Sequence, residues 1–174
     1  MKQNYLFALV LGVTDGIFTA LTLAAGRVIN SSEPIELDFA FRIAMAGSFS
    51  GLFVFFAAEY SRLRGELSHA ERHLNLMPRG KLATTHLGQI ILRDALEAAL
   101  VSGGGSFCGA LLPLLVSSLL GEPSFVAIVA AILTLGLLGA GVARAIYGNP
   151  FLWAAAFMLT GTILAVVGIE LRIT

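Results

Sequence analysis

The sequence predicts an all-α membrane protein with five transmembrane helices. The first observation is composition: 57% of the 174 residues are hydrophobic, 13% are charged, and the mean hydropathy is +0.86. The second is a series of five apolar segments, each near the ~20 residues that a helix needs to cross a bilayer. The third is the distribution of basic residues between the two sides that these segments define.

We place the five spans at about residues 5–29, 37–58, 98–120, 125–145 and 151–169. Together they form a single transmembrane domain, residues 1–174. The sizeable polar segment, residues 59–97, lies between the second and third spans. Its pattern is helical up to about Met77, is interrupted at Pro78-Arg79-Gly80, and is helical again into the third span. We therefore expect a short cytoplasmic helical hairpin.

The basic residues predict the orientation. With a cytoplasmic N-terminus, eight lie inside and three outside. The inside residues are Lys2, Arg62, Arg64, Arg72, Arg79, Lys81, Arg93 and Arg144, and the outside residues are Arg27, Arg42 and Arg172. The positive-inside rule thus favours a cytoplasmic N-terminus and an external C-terminus.

Charge and cysteine content exclude some classes of function. The formal net charge is zero, so no basic surface suggests nucleic acid as a partner. Cys108 is the single cysteine, which excludes an intramolecular disulfide and a cysteine-based metal cluster. We expect a multi-pass integral membrane protein, and the absence of long eukaryotic-style termini favours a prokaryotic plasma membrane.

Asp15 is the main candidate for a functional residue. It lies ten residues into the first span, or about 15 Å along a helix, which is half of a ~30 Å hydrocarbon core. A carboxylate at that depth costs at least ~2.5 kcal/mol and therefore suggests an ion ligand or a proton carrier. It could instead cap a broken helix or pair with a basic residue, although no Lys or Arg lies at matching depth.

Small residues beside Asp15 predict close helix packing. Gly12 and Gly16 form a small-xxx-small pair that Ala20 and Ala24 continue. The neighbouring helix could be the same helix of a second copy, which would place two Asp15 side chains on a dimer axis. Two facing carboxylates repel each other unless a divalent cation lies between them, an arrangement suited to exchange of metal for protons.

The polar segment carries a second group of candidates. Glu59, Glu66 and His73 lie within roughly 40° of one another on a helix, and His69 lies a further ~40° away. Glu66 and His69 also form the Glu-x-x-His pair seen in di-iron helical bundles, and such oxygen and imidazole ligands suit Fe²⁺, Mn²⁺, Co²⁺ or Zn²⁺. The alternating Glu and Arg residues are equally typical of a solvated helix with ion pairs. On the returning helix the available groups are His86, Asp94 and Glu97.

Several motifs resemble the vacuolar iron transporter family of Fe²⁺/Mn²⁺ transporters. They are LGVTDGIFTALTLAAG in the first span, FFAAEYSRLRGELSHAE at the end of the second, GALLPLL in the third and Gly-Asn-Pro before the fifth. The resemblance covers nearly the whole chain and is most specific in the first span.

The resemblance implies a homodimer that exports Fe²⁺ or Mn²⁺ by proton antiport, with the ion pathway between the first two helices of each copy. The family's transport aspartate maps onto Asp15. Glu59, Glu66 and Glu71 match the glutamates that extend its second helix, and Glu97 matches one that leads into its third span. The family's second-helix methionine has no counterpart near residues 50–55, and Met45 is off register.

We therefore expect a divalent metal transporter that is not an enzyme and needs no cofactor, with metal and protons as the transported species. The alternative is a non-transporting membrane scaffold that uses its glycine-rich helices to assemble partners. A membrane enzyme is disfavoured, because we find no nucleophile–base arrangement and no second Glu-x-x-His half-site. No catalytic residue is predicted.

Overall fold

The computed structural model describes residues 2–30, 36–73, 86–120 and 125–170, and within these ranges every regular element is an α-helix. The helices are α1 (Lys2–Asn30), α2 (Leu37–His73), α3 (His86–Leu120), α4 (Phe125–Ala145) and α5 (Pro150–Glu170). All five are long and apolar enough to cross a membrane. The predicted fold class is confirmed at this level. The predicted turn at Pro78-Arg79-Gly80 lies outside the described residues.

Two helices are much longer than a bilayer requires. α2 has 37 residues and α3 has 35, which corresponds to more than 50 Å each at about 1.5 Å per residue. The apolar parts of these helices are the predicted spans 37–58 and 98–120, so residues 59–73 of α2 and 86–97 of α3, in which polar and apolar residues are mixed, extend beyond them. Each helix runs without interruption from its span into its polar extension.

α1 lies at the centre of the bundle and contacts all four other helices. It packs most extensively on α3 and least on α2, whereas α2 packs mainly on α3. A groove between α1 and α2 therefore remains open toward the surface. The buried core consists largely of alanines, together with Ile17, Leu21, Leu114 and Leu135, as expected where close helix contact replaces bulky packing.

Glycines on both helices allow the tight contact between α1 and α3. A Cβ atom added to Gly12 would lie 1.9 Å from the Ser102 carbonyl oxygen, and one added to Gly16 would lie 2.0 Å from that of Ser106. In return, a Cβ on Gly109 of α3 would lie 2.4 Å from the carbonyl oxygen of Val13. The two backbones touch directly. The small-residue stripe of α1 is thus occupied by α3 of the same chain and is not the surface on which a second copy could pack.

The turn between α4 and α5 is a helix cap followed by a new helix start. Tyr147 has a left-handed backbone (φ 57°), and the Gly148 amide donates to the Ala143 carbonyl, as in a Schellman motif. The side-chain oxygen of Asn149 then accepts from the amide of Phe151 at 3.1 Å and caps α5, whose first residue is proline. This compact turn holds α4 and α5 antiparallel.

Candidate functional site

Asp15 lies where three helices meet. Its side chain is exposed on the surface of the single chain. Oδ2 accepts a hydrogen bond from the Ser106 hydroxyl of α3 at 3.3 Å, and a Cβ added to Gly51 of α2 would lie 3.1 Å from the same oxygen. Among the described residues no Lys or Arg forms an ion pair with Asp15. The carboxylate therefore has one neutral donor and an open side.

The position of Ser106 follows from the glycines of α1. Because Gly16 has no side chain, the backbone of α3 at Ser106 comes into direct contact with α1. The Ser106 hydroxyl then reaches Asp15, the residue that directly precedes Gly16. A second hydroxyl, that of Ser48 on α2, donates to the Gly103 carbonyl at 2.8 Å and ties α2 to the same part of α3.

A groove of about 480 Å³ leads away from Asp15 between α1 and α2. Its lining residues are Phe7, Leu11 and Asp15 of α1, Ser102 of α3, and Ser50, Gly51, Val54, Phe55, Ala58, Glu59 and Arg62 of α2. From Gly51 to Glu59 the groove follows α2 for about 12 Å. One groove thus connects the mid-span carboxylate to a carboxylate at the edge of the polar extension. None of its lining residues is a methionine, and Met45 lies outside it.

Glu59 is held at this end of the groove by Arg62. The Arg62 guanidinium donates to both Glu59 oxygens, from Nε at 2.9 Å and from a terminal nitrogen at 2.6 Å, and it also pairs with Glu66. The Glu59 side chain is 14% exposed and that of Glu66 62% exposed. The hydrogen bonds from Arg62 lower the pKa of Glu59, so this carboxyl is ionised at neutral pH and its pairing with Arg62 is lost only as the pH falls through that lowered pKa.

The structure separates the remaining predicted residues from Asp15. His69 and His73 are exposed, with their ring centroids 6.3 Å apart. Glu71 is buried at 5% exposure, twelve residues beyond Glu59 and so about 18 Å farther along α2. Within the described ranges, no three His, Cys, Asp or Glu side chains converge in a way that could hold a metal ion.

Glu97 belongs to a different cluster. Its two oxygens accept hydrogen bonds from the Tyr5 hydroxyl at 2.8 Å and from Arg93 Nε at 2.7 Å. Since Tyr5 lies at the start of the first span and Glu97 just before the third, this contact joins α1 to the polar extension of α3. Glu97 does not line the groove. His86 and Asp94 are exposed on the same extension.

Sequence reasoning identified Asp15 and Glu59 but missed Ser106, Gly51 and Arg62 as parts of one site. Ser106 and Asp15 are 91 residues apart, and a serine or glycine in an apolar span has many uses. Arg62 could be expected to pair with Glu59 and Glu66 from its i, i+3 and i, i+4 spacing. That this pair borders the groove is visible only in three dimensions. Comparison with protein-family models and with curated proteins found no match for this chain.

Proposed function

We propose that the chain transports divalent transition metals, Fe²⁺ or Mn²⁺, out of the cytoplasm in exchange for protons. The observation that carries the proposal is the groove that joins Glu59 to an unpaired carboxylate at mid-span. A carboxylate at mid-membrane depth without a basic partner must meet water, a proton or a cation. The sequence resemblance to the vacuolar iron transporter family supports this class of ion.

In this proposal the polar extensions of α2 and α3 lie in the cytoplasm, in keeping with the positive-inside rule. Metal enters at Glu59, whose negative charge attracts it to the mouth of the groove. It then moves between α1 and α2 to Asp15. The carboxylate and hydroxyl oxygens there can bind Mn²⁺ and Fe²⁺, but they discriminate less between divalent metals than a sulfur ligand would. Protonation of Asp15 from the outer side favours release of the metal.

The transporting unit is a homodimer in this proposal. A second groove of about 370 Å³ lies on the outward face of α1 and is lined by Phe7, Val10, Leu11, Thr14, Asp15 and Phe18. Asp15 borders this groove as well as the one toward Glu59. If α1 of a second copy packs here, the two Asp15 carboxylates face each other and no longer contact lipid. A divalent cation between them compensates their mutual repulsion.

The proposal is tested by metal flux into proteoliposomes under an imposed pH gradient. We expect Asp15→Asn to abolish proton-coupled uptake of Mn²⁺, because the amide keeps the size of the side chain but can neither carry the proton nor neutralise the metal. Asp94→Asn is the matched control, since Asp94 is exposed and lies away from the groove. Wild-type flux in Asp15→Asn would contradict the role of Asp15.

Titration of the detergent-solubilised protein with Mn²⁺ separates transport from a scaffold role. If the protein is the proposed transporter, it binds Mn²⁺ and the Asp15→Asn variant does not. If it is a scaffold, neither protein binds Mn²⁺. Absence of saturable binding in the wild-type protein would overturn the proposal as a whole.

A further inference from the structure

A groove on the far side of the bundle lies between α4 and α5. Its volume is about 510 Å³, and it borders none of the residues of the Asp15 site. The lining residues are Leu133, Gly136, Leu137, Ala140 and Arg144 of α4 and Pro150, Phe151, Ala154 and Met158 of α5. Small side chains form its floor, and the exposed Leu133, Leu137 and Phe151 form its walls.

Arg144 is the single charged residue of this groove and lies at one end of it. It belongs to the last turn of α4 and is exposed. In the described part of the chain Arg144 forms neither an ion pair nor a hydrogen bond with another side chain. The groove is therefore apolar along its length and carries one uncompensated positive charge at its end.

The dimensions of the groove match one leaflet of a bilayer. Leu133 and Arg144 are eleven residues apart, about 16 Å along α4. Half of a ~30 Å hydrocarbon core is about 15 Å. With Arg144 at the membrane–water interface, the groove extends to about the middle of the bilayer, which is the path of a lipid acyl chain.

We propose that this groove binds an anionic phospholipid, with one acyl chain between α4 and α5 and the headgroup phosphate on Arg144. The complementary charge favours a lipid over a helix of another protein, because an apolar helix would leave the arginine unpaired at the edge of the membrane. Arginine also binds phosphate through two parallel hydrogen bonds. The proposal does not depend on metal transport.

The chain provides its own reporter for this site. Trp153 is the only tryptophan in the sequence and is 38% exposed. It does not line the groove itself but directly precedes the lining residue Ala154 in the first turn of α5. Bromine atoms on a nearby acyl chain quench its fluorescence. The protein is reconstituted in vesicles of equal parts phosphatidylcholine and phosphatidylglycerol, with the bromines on one lipid or the other. The surface charge is then the same in both samples.

We expect brominated phosphatidylglycerol to quench Trp153 more strongly, corresponding to about a fivefold preference at the site, the factor that one arginine supplies near an anionic headgroup. Arg144→Gln should reduce the preference to about one, and Arg144→Lys should retain most of it. Ala154→Leu, which fills the floor of the groove and keeps Arg144, should also remove it. Arg64→Gln is the control, because Arg64 is exposed on α2 and lies outside the groove.

Four results would overturn the proposal. Equal quenching by the two lipids in the wild-type protein would show that no anionic lipid is enriched. A preference that survives in Arg144→Gln or Ala154→Leu would place the lipid elsewhere, and weak quenching by both lipids would indicate that protein covers the groove. Inorganic phosphate at constant ionic strength should leave the preference unchanged; its loss would assign Arg144 to a soluble anion.

Discussion

The position of Asp15 depends on a serine hydroxyl of α3 and on a glycine of α2, which has no side chain to fill the space beside the carboxylate. The Ser106 hydroxyl donates to one of its oxygens, and Gly51 leaves open the space through which the α1–α2 groove reaches it. The carboxylate therefore keeps part of its coordination free. A lysine or arginine in either place would have neutralised it and closed the site, since a paired ion at this depth has little to gain from a further cation.

At the other end of the groove, the positive charge that neutralises Glu59 belongs to a side chain of the protein itself, that of Arg62. It occupies both oxygens of Glu59 and also pairs with Glu66. In the proposed function, incoming metal must displace this guanidinium and overcome its charge. We expect Arg62→Gln to lower the half-saturating Mn²⁺ concentration in the flux assay by about 1.4- to fivefold, the range that corresponds to an exposed ion pair of about 0.2–1 kcal/mol.

The control for Arg62 is Arg64→Gln. Arg64 is also exposed on α2, but it donates to the Tyr60 hydroxyl instead of a carboxylate. If the effect came only from the loss of one positive charge on the extension, Arg62→Gln and Arg64→Gln would change the half-saturating Mn²⁺ concentration equally. An unchanged or higher half-saturating concentration in Arg62→Gln would show that the arginine does not compete with metal and serves to orient Glu59.

At the scale of the helices, the contact between α1 and α3 is the one that builds the site. Gly16→Ala would place a Cβ atom 2.0 Å from the Ser106 carbonyl oxygen. The two backbones must then separate, and Ser106 moves away from Asp15. We expect a loss of about 1–3 kcal/mol of stability, as for an extra methyl group forced into a well-packed interior, seen as a lower midpoint of thermal unfolding in detergent.

Gly104→Ala is the matched control on α3. A Cβ atom added there would meet no other atom within 4 Å, and alanine favours a helix over glycine by up to about 1 kcal/mol. This variant should unfold at the wild-type temperature or slightly above it. If Gly16→Ala is as stable as Gly104→Ala, the close approach of α1 and α3 is not what holds the helices in register.

Hydrophobic length and charge distribution were sufficient to predict the five helices, because crossing a bilayer demands about 20 apolar residues whatever the tertiary contacts. The partner of the Gly12–Gly16 stripe was not predictable, since small residues show that some helix comes close and not which one. The sequence pointed to a second copy as a possible partner, and the structure places α3 there. The contact between Ser106 and Asp15 depends on that packing and has no local signal.

At the scale of the whole molecule, a dimer would remove the exposed carboxylate of Asp15 from contact with lipid. A single chain in a bilayer would present Asp15 to lipid, at a cost of at least ~2.5 kcal/mol. A groove runs along this face of α1 beside Asp15 and Thr14, whereas Gly12 and Gly16 on the opposite face are covered by α3. Packing of two such faces removes both carboxylates from lipid.

Disulfide cross-linking in membranes tests this arrangement without reference to transport. In a Cys108→Ser background, we expect Thr14→Cys to form a covalent dimer on mild oxidation, because in the proposed dimer the α1 faces bring the two positions together. Thr160→Cys is the control: Thr160 lies ten residues into α5, at a depth similar to that of Thr14 in α1, and is exposed. Cross-linking at Thr160 but not at Thr14 would assign the interface to α5 and leave Asp15 facing lipid. The pathway would then have to be formed within one chain, by the α1–α2 groove alone.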